Sequence, residues 1–363
     1  MSELKGLILC AGEASRLRPV SYAVPKPLFP VANRPLIDYA LGALAQAGVT
    51  DIGIVISPWD RATPDALGDG GAWGGRATYI EQHQPCGLGH AVAQAAQFVG
   101  DSSFVLYLGD TLMDQGVEPA VALFEREDCD AVMLLAEVDD PRRFGVAEVD
   151  GTRVVRLVEK PKQPKSNLAV VGAYLLKSCV VDAIGRTTPS ARGELEITDS
   201  IQTMIASGAT VRWLPVDGWW GDVGSPETAL ETNAHFLEAL NDDVRGDVAE
   251  DCTVLGPASV GRGTVVRRSA LRGPVCIGEN CTIEDAEIGP NACLGDGSSV
   301  RASTVANAIL SAGCSVHGVG GGLTGSVFGE RVAVAGTGPE CALTRSVLCA
   351  DSVLQLTSEG ADT

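Results

Sequence analysis

Residues 254–305 read VLGPASVGRGTVVRRSA (254–270), LRGPVCIGENCTIEDAE (271–287) and IGPNACLGDGSSVRAST (288–304) before reaching Val305. Aligned, these rows place Val254, Leu271, Ile288 and Val305 in one column, Val260, Ile277 and Leu294 in a second, and Val266, Ile283 and Val300 in a third, with 17 residues from row to row. Within a row the aliphatic residues are 6, 6 and 5 positions apart, and Val260, Ile277, Ile288 and Leu294 are each followed by glycine. An amphipathic helix needs a period near 3.6 and a half-buried strand a period of about 2, so neither produces this spacing. One aliphatic residue at every fifth or sixth position is the pattern of a three-sided, left-handed parallel β-helix built from hexapeptide repeats, each row forming one coil. After Val305 the period blurs, and Val316, Leu323, Val327 and Val332 are the residues expected to continue it.

Upstream the texture changes. All five Trp, all five Tyr and six of the seven Phe lie at or before Phe236, which predicts a domain boundary near residue 240. Before it, short apolar strands at Gly6–Leu9, Ile52–Ile56, Phe104–Leu108 and Ala131–Ala136 alternate with amphipathic helical stretches such as Leu36–Ala47 and Gly89–Phe98. That alternation predicts a doubly wound, Rossmann-like α/β domain over residues 1–240, then the β-helix over 250–345 and a loose, flexible tail over 351–363. In open parallel sheets ligands sit beyond the carboxyl ends of the strands, so the loops after these strands are where a site is expected.

The 363 residues suit two or three domains. A net charge of −19, from 46 acidic and 27 basic residues, argues against nucleic acid as a partner, because that binding needs basic patches. Any anionic ligand must then be held by a few placed cations. No apolar run approaches the ~18 residues of a membrane span, and Gly6–Leu9 is too short for a signal-peptide core, so the sequence predicts a soluble cytoplasmic protein without a membrane partner. Eleven cysteines, an odd number without a C-x-x-C pair, fit reduced, buried thiols better than a disulfide frame or a zinc site.

Several loops carry chemistry. The first strand runs into Cys10-Ala11-Gly12-Glu13-Ala14-Ser15-Arg16-Leu17-Arg18-Pro19, where small side chains let backbone N–H groups approach a phosphate and Arg16 or Arg18 adds charge. Pro25-Lys26-Pro27 fixes the backbone on either side of one of only six lysines. Asp110 follows the strand Phe104–Leu108, and Asp222 stands in Gly218-Trp219-Trp220-Gly221-Asp222-Val223-Gly224; two carboxylates together with phosphates suit Mg²⁺. Gln82 and Gly87 precede a helix where a carboxamide can read a base edge, while Glu159-Lys160-Pro161 and Arg192–Asp199 offer paired charges around turns. Taken singly, each of these also reads as an ordinary turn, cap or surface residue.

Taken in order, these pieces resemble the sugar-1-phosphate nucleotidyltransferases, and most closely the long form of glucose-1-phosphate thymidylyltransferase, over about Leu4–Val334. The resemblance rests on Arg16-Leu17-Arg18-Pro19, Pro25-Lys26-Pro27-Leu28, Gly109-Asp110, Glu159-Lys160-Pro161, Pro164-Lys165-Ser166-Asn167 with Ala169-Val170, Arg192–Asp199 and Trp219–Gly224. It implies that Arg16 and Lys26 bind and polarise a nucleoside triphosphate and that Asp110 and Asp222 hold Mg²⁺. It further implies that Ala11, Gly12, Gln82, Gly87 and Leu108 form the nucleotide pocket, and that Lys160 grips a sugar 1-phosphate in a pocket shaped by Gly145, Glu159, Val170 and Trp220.

The implied reaction joins dTTP and glucose 1-phosphate into dTDP-glucose and pyrophosphate. The alternatives are UTP with glucose 1-phosphate, GTP with mannose 1-phosphate, or an inert relative that senses nucleotide-sugar. An acyltransferase site on the β-helix would have His317 alone as its base. The β-helix itself, aliphatic and nearly free of lysine and histidine, is expected to serve homo-oligomer assembly or regulation. One loop departs from the family: its usual G-G-x-G-T-R-L here has Ala11 and Ala14 for the first and third glycines and Ser15 for threonine. The expectation is that Ala14 keeps φ < 0 and that Gly12 supplies any left-handed turn.

Overall fold

The apolar runs of the first half are buried strands, and most are apolar along their whole length because helices and neighbouring strands cover both faces. In the computed structural model, which describes residues 4–338 and 340–357, the chain forms two units. The first comprises residues up to 13 together with 37–221; the second comprises 14–36 and everything from 222 onward. This division differs from the boundary near residue 240 that the aromatic content predicts. Residues 14–36 and the helix Pro226–Glu238 belong with the C-terminal repeats because their hydrogen bonds and packing lie there.

The first unit is built on a nine-stranded mixed sheet in the order 76–81, 51–56, 5–9, 104–108, 168–176, 131–137, 211–215, 153–159, 145–150. Lys5–Leu9 pairs in parallel with Asp51–Ile56 on one side and with Phe104–Leu108 on the other, so the strand order reverses direction at this first strand. Such a switch point opens a crevice at the carboxyl ends of the strands. Leu168–Leu176 runs antiparallel between Phe104–Leu108 and Ala131–Glu137. Leu36–Gln46 is one helix as its spacing predicts, whereas the stretch predicted over Gly89–Phe98 is two, Leu88–Gln94 and Ala96–Val99, broken at Ala95.

In the second unit short parallel strands pair with the strand one round later. Val254, Leu271, Ile288, Val305, Leu323 and Leu343 form one stack in register; Val260, Ile277, Leu294, Leu310, Phe328 and Leu348 a second; and Val266, Ile283, Val300, Val316, Val334 and Leu354 a third. The rounds keep 17 residues up to Val305, and then become 16, 18 and 20 long, which is why the period blurs. Val316 and Leu323 continue the stacks as expected, but the other two places belong to Phe328 and Val334 rather than Val327 and Val332. The glycines after the aliphatic residues have a steric reason: a Cβ on Gly261 or Gly295 would lie 2.5 Å from the backbone of the next round.

Val353–Leu356 is a strand paired with Ala333–Gly336, so this part of the expected loose tail is held by the last round; residues 358–363 lie outside the described residues. All eleven cysteines are free thiols, five of them buried. Among the described residues no helix is long and apolar enough to cross a membrane.

Candidate active site

Along the carboxyl edge of the first unit's sheet the strand ends line up. Cys10 N donates to Val55 O at 2.7 Å, and Gly109 N donates to Leu9 O at 3.0 Å, so Ala11-Gly12 and Gly109-Asp110 leave adjacent strands side by side. The approach is tight, since a Cβ on Gly109 would lie 2.5 Å from Cys10 Sγ. Asp110 is half-buried at this edge. On the far side of Asp51–Ile56, Gln82 N donates to Ile56 O at 2.9 Å, and the Gln82 side chain is buried. Its Nε2 donates to Gly87 O at 3.3 Å and to His90 Nδ1 at 2.9 Å, which occupies both amide protons.

Gly87 is required by geometry. Its φ is +101°, and a Cβ there would lie 2.6 Å from Leu195 O and 2.9 Å from Leu195 N. Leu195 N donates to Cys86 O and Gly89 N donates to Leu195 O, both at 2.8 Å, so residues 86–89 are zipped by backbone alone to 194–196. Leu108 is half-buried, and Gly172, at φ +93°, leaves it room: a Cβ there would lie 3.0 Å from Leu108 Cδ1.

A second cluster in the same unit gathers Gly145, Glu159, Lys160, Val170 and Trp220. Gly145 pairs with Glu159 in register, and a Cβ on it would meet Thr198 Cγ2 at 2.7 Å, Glu159 Oε2 at 3.2 Å and Val170 Cγ2 at 3.5 Å. Glu159 accepts from Thr198 Oγ1 at 3.0 Å and Arg192 Nη2 at 3.3 Å, with Lys160 Nζ 3.6 Å away. Burial pushes the Glu159 carboxyl above its ordinary range and Glu196 adds to this, against the lowering pull of Lys160, Thr198 and Arg192. Lys160 sits at φ +40°, its N–H donating to Phe144 O at 3.0 Å, and the Phe144 ring meets Trp220 edge-on at 5.5 Å. Arg192 also reaches Glu196 at 2.7 Å and Glu194 at 3.3 Å, so one guanidinium serves three carboxylates.

The second unit carries Arg16, Lys26 and Asp222. Arg16 lies in the single turn Ser15–Leu17 and Lys26 opens the turn Lys26–Leu28. A Cβ on Gly224 would lie 2.7 Å from Arg16 Nη2 and 2.9 Å from Asp222 Oδ2, so guanidinium and carboxylate converge over this glycine. Ala14 overturns an expectation: its φ and ψ are +47° and +37°, in the left-handed region, whereas Gly12 is not in that region. The turn into Ser15–Leu17 fixes this, because Ala14 O must accept from both Leu17 N and Ser21 Oγ at 3.0 Å. Alanine tolerates the conformation at a cost of ~1–2 kcal/mol.

Phe144 stands in none of the loops that the sequence marks, and Leu195 and Thr198 stand in the marked stretch Arg192–Asp199 without a role of their own there. Gly87 and Gly89 signal close backbone approach, but nothing local names Leu195, about a hundred residues on, as what approaches. Among the described residues no three Asp, Glu, His or Cys side chains gather into a metal-holding group. The carboxylates of Asp110 and Asp222 are hard, half-buried oxygen donors, the chemistry Mg²⁺ takes when it keeps most of its waters.

Comparison with known proteins gives the family. The nucleotidyl transferase family matches residues 5–239. The chain is similar to the low-salt glycan biosynthesis nucleotidyltransferase Agl11 of Haloferax volcanii, 45% identical over 255 residues that cover 70% of this chain and 71% of that one. It is similar to the glucose-1-phosphate thymidylyltransferase of Streptomyces antibioticus, 43% identical over 265 residues that cover 72% of this chain and 74% of that one. A solved structure of UDP-glucose pyrophosphorylase complexed with UDP-glucose superposes with a TM-score of 0.58 at 25% identity, covering 65% of this chain and 99% of that one. With a switch-point sheet edge, a second polar cluster beside it and a family match across both, the chain belongs to the nucleotidyl transferase family and is a sugar-1-phosphate nucleotidyltransferase.

Proposed function

We propose that this chain joins dTTP and glucose 1-phosphate to give dTDP-glucose and pyrophosphate, in the cytoplasm and as a homo-oligomer whose C-terminal region is a left-handed β-helix. The observation that carries the reading is that the first unit holds two separate polar clusters, one on the switch-point edge and one around Glu159, as a two-substrate transfer requires. Ala11, Gly12, Gln82, Gly87 and Leu108 receive the nucleoside, with the Gln82 oxygen accepting from a pyrimidine N3–H. Lys160 grips the sugar phosphate, and Gly145, Glu159, Val170 and Trp220 shape the sugar pocket. Arg16 and Lys26 bind the triphosphate.

The sugar phosphate is already an ionised nucleophile, so no general base is needed. One of its oxygens attacks the α-phosphorus in line, the α–β phosphoanhydride bond breaks, and pyrophosphate leaves with its charge met by Arg16 and Lys26. Asp110 and Asp222 would hold Mg²⁺, which when bound supplies neutralisation of phosphate charge.

The test is pyrophosphate release from five nucleoside triphosphates against a panel of sugar 1-phosphates. The expected optimum in kcat/KM is dTTP with glucose 1-phosphate, and Asp110→Asn and Asp222→Asn should each lower kcat by at least ~10²-fold with the fold intact. A preference for UTP or GTP would move the assignment within the family. The left-handed Ala14 favours a second reading, an inert nucleotide-sugar sensor with a loosened phosphate loop, which predicts binding without turnover for any pair.

A further inference from the structure

The segment that carries Arg16 and Lys26 is a chain of short internally bonded turns. Four residues past Lys26, Pro30–Val31 and Arg34–Pro35 pair as a hairpin with Val31 opposite Arg34, so Ala32 and Asn33 form its tip. Their φ values, +48° and +58°, are those of the two-residue turn that hairpins favour, and Phe29 and Val31 beneath it are buried. Leu36 N donates to Phe29 O at 3.1 Å and closes the base.

The tip hangs from the C-terminal region. Asn33 Nδ2 donates to Cys276 O at 3.2 Å and to Leu294 O at 2.7 Å, carbonyls on successive rounds of the repeat. Ala32 N donates to Asn233 Oδ1 at 2.9 Å, on the helix Pro226–Glu238. Asn233 is fully buried, its Oδ1 also accepts from the Cys293 thiol at 3.1 Å, and its Nδ2 has no hydrogen-bond partner among the described residues. A buried amide proton left unpaired is costly, so a leucine of similar volume would suit this place better if packing were all it did. What Asn233 contributes is its oxygen, aimed at the hairpin.

We propose that Asn33 and Asn233 are positioning residues of the transfer reaction, hanging the hairpin that follows Lys26 from the C-terminal repeats so that the repeats hold the triphosphate-binding cations in place. This rests on the reading of Arg16 and Lys26 given above, and it assigns the repeats a part in catalysis where the sequence alone predicts only assembly or regulation.

The test uses the full chain. Asn33→Gly keeps the turn, because glycine adopts positive φ freely, and removes the amide. Asn33→Asp keeps the shape and turns an oxygen toward two carbonyl oxygens. In pyrophosphate-release kinetics Asn33→Gly should raise the nucleotide KM about tenfold and lower kcat, while the sugar-phosphate KM stays within about twofold and the circular dichroism spectrum is unchanged. Asn33→Asp should show the same selectivity more strongly, and if it does not fold, Asn33→Gly decides. A merely structural role would lower the melting temperature and leave both KM values alone. Lys26→Ala separates the two readings. If it raises the nucleotide KM and Asn33→Gly does not, the positioning role is wrong and the triphosphate assignment stands; if Lys26→Ala leaves nucleotide KM unchanged, both fall.

Discussion

Two loops of this enzyme are held in opposite ways. Residues 86–89 are bound to 194–196 by backbone groups so close that no Cβ fits at Gly87 or Gly89, whereas the tip at Ala32-Asn33 is suspended by the side-chain amides of Asn33 and Asn233, with the Cys276 thiol 3.8 Å from Ala32 O. A backbone clamp is rigid because its partners are short and fixed, and it is encoded by glycine. A side-chain hook is encoded by asparagine, and cutting it leaves slack without collision. The first should fail through steric strain that costs stability, the second through misplacement that costs binding.

The largest effect should follow from forcing the clamp. Gly87→Ala places a Cβ 2.6 Å from Leu195 O at a φ of +101°, so backbone strain and overpacking add to about 3 kcal/mol or more. Urea denaturation should show that loss together with a severalfold higher nucleotide KM; a variant as stable as the parent would mean that 194–196 yields easily and the contrast between clamp and hook is false.

Ala14 sharpens the same contrast from the other side, as a left-handed residue that is not glycine. Ala14→Gly relieves ~1–2 kcal/mol of left-handed strain and gives back ~0.4–1 kcal/mol through a freer unfolded chain. The net should be a gain of up to about 1.5 kcal/mol, read as a melting temperature up to about 3 °C higher. The nucleotide KM should change by less than about threefold, because the bonds to Leu17 and Ser21 use the Ala14 carbonyl, which glycine keeps. A lower melting temperature would show that the position carries no strain.

The smallest effect concerns protons. Burial raises the Glu159 carboxyl above its ordinary range, so the folded protein takes up this proton more readily than the unfolded chain does. The stability it contributes is therefore complete below the ordinary carboxylate range and is lost as pH rises through the raised value. Denaturation midpoints collected across that range should fall with pH, and Glu159→Gln should flatten the fall by under about 1 kcal/mol. Asp199, also raised chiefly by burial, will leave part of the slope in place. An identical slope in the variant would assign the whole dependence to other groups.

The repeats were readable because each round admits one aliphatic residue at each of three places, and a spacing of 17 survives in the sequence as long as the turns keep their length. When rounds become 16, 18 and 20 residues long, the stacks persist but the arithmetic does not, and Phe328 and Val334 go unrecognised. Asp110 was readable for a local reason, since it follows a strand that names itself by composition. Leu195 was not, because it acts through backbone atoms that every residue possesses. Asn33 reads as an ordinary turn residue, and its acceptors lie 243 and 261 positions away. The backbone of Ala14 is set by what its carbonyl must reach, which composition does not encode.

The outermost rounds of the repeat are poorly covered: Val254 is 41% exposed, Leu255 52% and Val353 79%. Stacked repeats touch only their neighbours, so local opening starts at the ends and its free energy climbs toward the middle. Cys276 and Leu294, which receive the Asn33 amide, lie in inner rounds with neighbours both above and below. Fraying that frees Val254 or Val353 thus leaves the suspension point closed, and amide hydrogens around residues 276–294 should be among the last in this region to exchange. The hairpin borrows the stability of the deepest layers, and the ends are free to breathe.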